Sequence, residues 1–197
     1  VYHISGCGVC YDCRRGYYLS CKSPHRAAYG WQRNGGMAPY MLCGEKALIA
    51  LPDELSYEDG AQVACGFGTC YEALMKMGVS GNDRVLVTGL GPVGLATLML
   101  AKAMGCDMTI GTDISEERMQ LAKDLGLADY VFNSSDAEAC EKQIMDVTQG
   151  YGCERTVDCS ASNAARAMAI RCTREWGKMA MVGEGNDVTF NPSPDIM

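Results

Sequence analysis

The chain has 197 residues and a formal net charge of −7 at pH 7, with 48% hydrophobic and 21% charged residues. That length holds one full domain and part of another, and the composition is that of a globular protein, not a disordered one. The acidic balance argues against a nucleic-acid partner, and no apolar run reaches the ~20 residues that span a bilayer.

Val1-Tyr2-His3-Ile4 reads as the tail of a strand already under way, so a piece of a longer protein is expected; no signal-peptide pattern opens it. The first chemical feature is Cys7, Cys10 and Cys13 at C-x2-C-x2-C spacing, with Cys21 further on. Four thiolates suit a tetrahedral zinc ion and leave no position open, which makes such a site structural. Gly6, Gly8 and Gly16 let the loop turn tightly around the metal. An iron–sulfur run would bring its fourth cysteine sooner and follow it with proline, whereas Cys21 precedes Lys22. Disulfides would need an oxidising compartment, and twelve cysteines scattered through strands and helices fit reduced thiols in the cytosol better. His3 and His25 flank the loop as ordinary histidines, because four sulfurs already complete the coordination.

Residues 35–42 and 47–56 read as short strands with turns between, and Trp31, Tyr40 and Met41 as core or lining residues. A helical connection is expected over 71–77, stopped by Gly78.

The stretch 84–113 organises the rest. Val85, Leu86 and Val87 fit a buried parallel strand. Gly89, Gly91 and Gly94 then give G-x-G-x-x-G: a tight turn, close backbone approach to a pyrophosphate, and close packing of helix on strand. Pro92 suits the first helical turn, where its missing N–H costs nothing, and phosphate would meet the positive end of that helix. Asp113 follows Gly94 by 19 positions, close to the ~20 expected of the carboxylate that accepts from the adenosine ribose hydroxyls. Its charge favours NAD over NADP; Thr112 leaves room for a 2′-phosphate, but Ile114 stands where an arginine could receive it.

Ser115 reads as the cap of a helix with a buried stripe of Met119, Ala122 and Leu125, ended by Gly126. A strand over 129–132, a helix over 136–149 with Cys140, Ile144 and Val147 on one face, a strand over 153–159, an Ala-rich helix over 163–173 and a strand over 178–182 follow. The alternation implies an α/β doubly wound parallel sheet with right-handed crossovers, of the Rossmann type. A sixth strand is expected to be missing, leaving the fifth as an open edge.

The cysteine lobe, Leu51-Pro-Asp-Glu-Leu-Ser56, Cys65-Gly-Phe-Gly-Thr69 and Gly89-Leu-Gly-Pro-Val-Gly94, in this order, resemble the zinc-containing medium-chain alcohol and polyol dehydrogenases. The resemblance covers essentially the whole chain. It implies a partial β-rich (GroES-like) catalytic domain with a structural-zinc lobe over 1–60, and an NAD-binding domain, truncated at its end, over 61–197. It implies that Cys65 is a ligand of a second, catalytic zinc; by its residue type alone Cys65 is simply a small buried side chain, the reading kept for Cys43, Cys70, Cys106, Cys140, Cys153, Cys159 and Cys172. Thr69, Val93, Val182 and Gly183 match positions beside the nicotinamide, and Arg118 a position that can reach the adenosine ribose, although a solvated helix cation reads equally well.

The family's other catalytic-zinc ligands, a cysteine and a Gly-His-Glu histidine, and its proton-relay hydroxyl precede the lobe, so this chain by itself is expected to be inactive. The implied function is NAD(H)-linked, zinc-dependent oxidation of a small alcohol or polyol by a cytoplasmic homodimer or homotetramer. A zinc-free reductase of activated double bonds and a non-catalytic NAD-binding module are the rival readings.

Overall fold

The computed structural model describes residues 1–196 and divides the chain into two compact units, Val1–Cys65 and 66 onward.

The first unit has little regular structure. Strands β1 (Ile4–Ser5) and β2 (Ala27–Ala28) pair antiparallel, and between them lies a short helix α1 (Tyr11–Arg14). No strand forms over 35–42 or 47–56, where the sequence leads one to expect short ones; only a 3-10 turn, Glu45–Ala47, interrupts irregular chain there. Trp31 and Tyr40 are 81% and 92% exposed, so they are not core residues. Apolar residues between turns form a strand only where a partner strand exists to take their backbone bonds, and this segment has none here. Helix α2 (Tyr57–Gln62) starts at Ser56, whose hydroxyl accepts from the Asp59 N–H while the Asp59 carboxylate accepts from the Ser56 N–H.

The second unit is a five-stranded, all-parallel sheet. Its strands are β3 (Arg84–Thr88), β4 (Met108–Asp113), β5 (Tyr130–Asn133), β6 (Cys153–Asp158) and β7 (Thr173–Met181), in the spatial order β5-β4-β3-β6-β7. The order reverses between β3 and β6, and a crevice at the carboxyl ends of strands is where open α/β sheets bind ligands. Helices α3 (Gly68–Met77), α4 (Pro92–Ala103) and α5 (Glu116–Asp124) cover one face; α6 (Ala137–Val147) and α7 (Asn163–Arg171) cover the other, and a short α8 (Pro192–Ile196) follows. The period-two rule is visible in β3. Val85 and Val87 pack with Leu74, Leu90 and Leu98, while Leu86 joins Ile110, Ile144 and Met168 on the opposite face. Each such fully buried side chain contributes about 1.5–3 kcal/mol.

The expected elements are present with shifted bounds. Helix α3 begins earlier than expected and ends on Gly78, in the left-handed region at φ 70°. Strand β7 is longer than expected, starting directly after α7. In α5, Met119 and Ala122 are buried, but Leu125 is 55% exposed because it caps the helix rather than continuing its inner stripe. Among the described residues no helix is long and apolar enough to cross a membrane.

Candidate cofactor and metal sites

Two sites are built from the sequence upward, one in each unit. In the first, α1 and the turns around it bring the sulfurs of Cys7, Cys10, Cys13 and Cys21 within 4.8 Å of one another. Cys7 and Cys13 sulfurs are 4.0 Å apart, and those of Cys10 and Cys21 3.9 Å. A tetrahedral ion with ~2.3 Å metal–sulfur bonds sets its ligand sulfurs about 3.8 Å apart, whereas a disulfide requires ~2.05 Å. The donor set therefore fits zinc and no disulfide. Loop N–H groups point at sulfur, Cys10 N–H on Cys7 at 3.3 Å and Cys7 N–H on Cys21 at 3.4 Å. N–H donation from Val9 and Cys10 lowers the Cys7 thiol to about 6, and donation from Cys7 and Ser23 lowers Cys21; burial raises Cys13 to about 12. Two of the four positions thus favour the thiolate before a cation arrives. A Cβ on Gly6 would lie 2.6 Å from the Cys13 sulfur, so the loop closes only with glycine there. His3 and His25 are exposed and outside the sulfur group.

In the second unit the three glycines do three different things. Gly89 turns the chain at φ 85°, and its N–H donates to the Thr112 carbonyl at 2.7 Å, tying the turn to β4. A Cβ on Gly91 would meet nothing within 4 Å, leaving its backbone open to a ligand. A Cβ on Gly94 would collide with the Gly89 carbonyl oxygen, so α4 can approach the turn this closely only without one. Pro92 is the first residue of α4, and Val93 and Gly94 precede the first helical bond, from the Leu95 N–H to the Gly91 carbonyl. Their N–H groups belong to the helix's positive end, which favours phosphate.

Asp113, at the end of β4, is 5% exposed and turned to this bend. Its carboxylate accepts from the Leu90 N–H at 2.6 Å and from the Ile114 and Ser115 N–H groups at 2.8 and 2.9 Å. The exposed Arg118 guanidinium stands 3.8 Å away, the longest of these contacts. Thr69 and Val182 line one open cleft of about 660 Å³, together with Glu72, Ala73, Lys76 and Lys178. Val93 offers its carbonyl to the Cys70 thiol at 3.2 Å and to the Thr97 hydroxyl at 2.8 Å. The Val182 and Gly183 N–H groups both donate to the Asp158 carbonyl at 2.8 Å.

Cys65 is exposed, in a π-type turn (Val63–Phe67), and belongs to no group of three potential ligands among the described residues. Cys70, Cys140, Cys153 and Cys172 are fully buried, and burial lifts the Cys140 thiol to about 11 and that of Cys153 to about 12. The sequence gives no sign of the ion pair between Arg166 and Asp158, which are 5% and 0% exposed. The two stand eight positions apart, and an arginine in an Ala-rich helix reads as a surface cation.

The zinc-binding dehydrogenase family matches residues 92–197. The chain is 49% identical over 197 residues to the uncharacterized zinc-type alcohol dehydrogenase-like protein YphC of Escherichia coli, covering 100% of this chain and 55% of that protein. It is 36% identical over 180 residues to D-arabitol-phosphate dehydrogenase of Enterococcus avium, covering 90% and 49%. Among solved structures it is similar to the alcohol dehydrogenase of Aeropyrum pernix, with a TM-score of 0.86 at 27% identity over 97% of this chain and 56% of that one. The chain spans about half the length of these relatives. With this match and the glycine turn in its strand–helix setting, the chain belongs to the zinc-binding dehydrogenase family.

Proposed function

We propose that this chain is the NAD-binding and structural-zinc portion of a zinc-dependent dehydrogenase of alcohols or polyols. The observation that carries this reading is the division of labour among Gly89, Gly91 and Gly94, a positive-φ turn, an open backbone and a close helix contact in one bend, beside the buried Asp113. Solved relatives described as an NAD-dependent alcohol dehydrogenase and as a dehydrogenase complexed with NADH support the choice of cofactor. Sorbitol dehydrogenase of Homo sapiens and the Enterococcus avium enzyme, both relatives, support a polyol-type substrate.

In this reading the pyrophosphate lies over Gly91 and Pro92 at the start of α4, and the adenosine ribose meets Asp113. Three N–H groups donate to that carboxylate and Arg118 stands 3.8 Å from Oδ2, so a ribose hydroxyl uses the acceptor capacity left on Oδ2, with Arg118 swinging out beside it. Thr69, Val93, Val182 and Gly183 border the nicotinamide. Cys7, Cys10, Cys13 and Cys21 hold a structural zinc, and Cys65 brings one thiolate to a second zinc in the whole protein. When bound, that second ion supplies Lewis acidity to the alcohol oxygen, and the nicotinamide serves as hydride acceptor. A catalytic zinc takes three protein ligands, and one thiolate does not make such a site, so no step through it is assigned to these residues.

Metal content of the full-length protein tests the reading. Two zinc ions per chain are expected; one would leave a module with structural metal only, and none would favour a zinc-free reductase.

A further inference from the structure

Arg166 is the fourth residue of α7, in the run Asn-Ala-Ala-Arg-Ala-Met, and only 5% of it is exposed. Burying a guanidinium is costly unless its N–H groups are satisfied, and an apolar side chain of similar size often serves stability as well. Here the donors are spent on one segment. Nε donates to Asp158 Oδ2 at 2.8 Å. Nη1 donates to the Gly185 and Asn186 carbonyls at 2.8 and 2.7 Å, and Nη2 to the Gly183 carbonyl. All three carbonyls belong to the chain that leaves β7.

Asp158, fully buried at the carboxyl end of β6, is the other half of the clamp. Its Oδ1 accepts from the Thr88 hydroxyl at 2.9 Å and from the Ser160 N–H and hydroxyl at 3.0 and 2.6 Å. Ser160 in turn lies against the glycine turn, where a Cβ on Gly89 would come within 2.7 Å of the Ser160 Cα. Asn186 Nδ2 donates to the Ala161 carbonyl at 2.8 Å, closing the two loops on each other. Both loops hold non-glycine residues in the left-handed region, Ala161 at φ 58° and Asn186 at φ 57°, a conformation that persists only where its surroundings fix it.

Three loops, those after β3, β6 and β7, therefore converge on one ion pair at the place where the strand order reverses. We propose that Arg166 is a positioning residue for the nicotinamide half of the cofactor site, holding the segment 183–186 in the shape the nicotinamide meets. This rests on the dinucleotide reading above. The adenosine half, at Asp113 on β4, makes no hydrogen bond to the clamp.

The test is calorimetric titration of the full chain with NADH and, separately, with ADP, which carries only the adenosine and diphosphate portions. Arg166→Lys keeps a cation for Asp158 but cannot fork across three carbonyls. It is expected to weaken NADH about tenfold while ADP stays within about twofold, with faster amide exchange over 183–186 in the free protein. Unchanged NADH affinity, or an equal loss for NADH and ADP, would overturn the proposal. Should Arg166→Lys fail to fold, Asn186→Gly removes the side-chain tie to Ala161 while tolerating the left-handed backbone, and is expected to show the same asymmetry at smaller size; its absence counts against the proposal equally. A wild-type chain that binds neither NADH nor ADP would sink the dinucleotide reading itself.

Discussion

The two units are held together by different means. In residues 1–65 the buried apolar side chains are Ile4, Ala27, Ala28 and Ala47 beside the thiols of Cys13 and Cys21. In residues 66–196 Leu74, Leu86, Leu90, Leu98, Ile110 and Ile144 are all fully buried on the two faces of one sheet. So few apolar side chains bury little area to hold about sixty residues in place. In the proposed reading the first unit depends on a metal held by its sulfur cluster, and the second on its apolar core. On that reading the two proposed sites differ in kind: the metal site would be part of the fold, whereas the nucleotide site would lie on a fold that stands without it.

The largest expected effect follows directly. Structural zinc contributes about 10–16 kcal/mol in apparent binding free energy, so its removal by a chelator, or Cys10→Ser, should unfold residues 1–65 and leave the sheet intact. Hydrogen exchange resolved by segment checks this: loss of protection confined to 1–65 is expected, and unchanged protection there would show that the lobe stands alone.

Within the second unit, two glycine substitutions separate folding from binding. Gly94→Ala drives a methyl into the Gly89 carbonyl and should cost about 2–4 kcal/mol of stability. Gly91→Ala meets open space, so thermal melting should be unchanged within a degree or two while NADH affinity falls. Melting curves paired with NADH titration read both, and a destabilised Gly91→Ala would contradict the assignment of that backbone to the ligand.

A smaller effect tests the far end of the sheet. Glu154 accepts from Arg84 Nε and Nη2 at 3.0 and 2.7 Å, from the Arg84 N–H at 2.8 Å, and from Arg174 at 3.1 Å. Burial alone would raise its carboxyl, but these bonds outweigh burial and hold it at about 2. Because the folded value lies below the ordinary 4.5, the stabilisation is fully present above that pH and is lost as pH falls toward 2. Glu154→Gln should cost about 1–3 kcal/mol near neutrality and flatten the acid limb of stability against pH, as urea unfolding between pH 2 and 6 would show.

These contrasts also explain what the sequence makes legible. The glycine turn, the five strands and the gathering of four cysteines are local patterns whose physics acts over a few residues, and they appear close to where they are expected, with β7 starting earlier. The stretches 35–42 and 47–56 mislead because apolar residues bounded by turns do not by themselves supply a partner strand. Leu125 misleads because the last apolar residue of a stripe can serve as the cap and point outward. Arg166 is silent because its burial is decided by Asp158 and by carbonyls up to 20 positions away.

The most direct test of the central claim is titration of the wild-type chain and of Asp113→Ala with NADH and NADPH. The account predicts that the wild type binds NADH at least about tenfold more tightly than NADPH, and that the gap narrows in the variant. Equal affinities in the wild type, or a gap that Asp113→Ala leaves untouched, would contradict it.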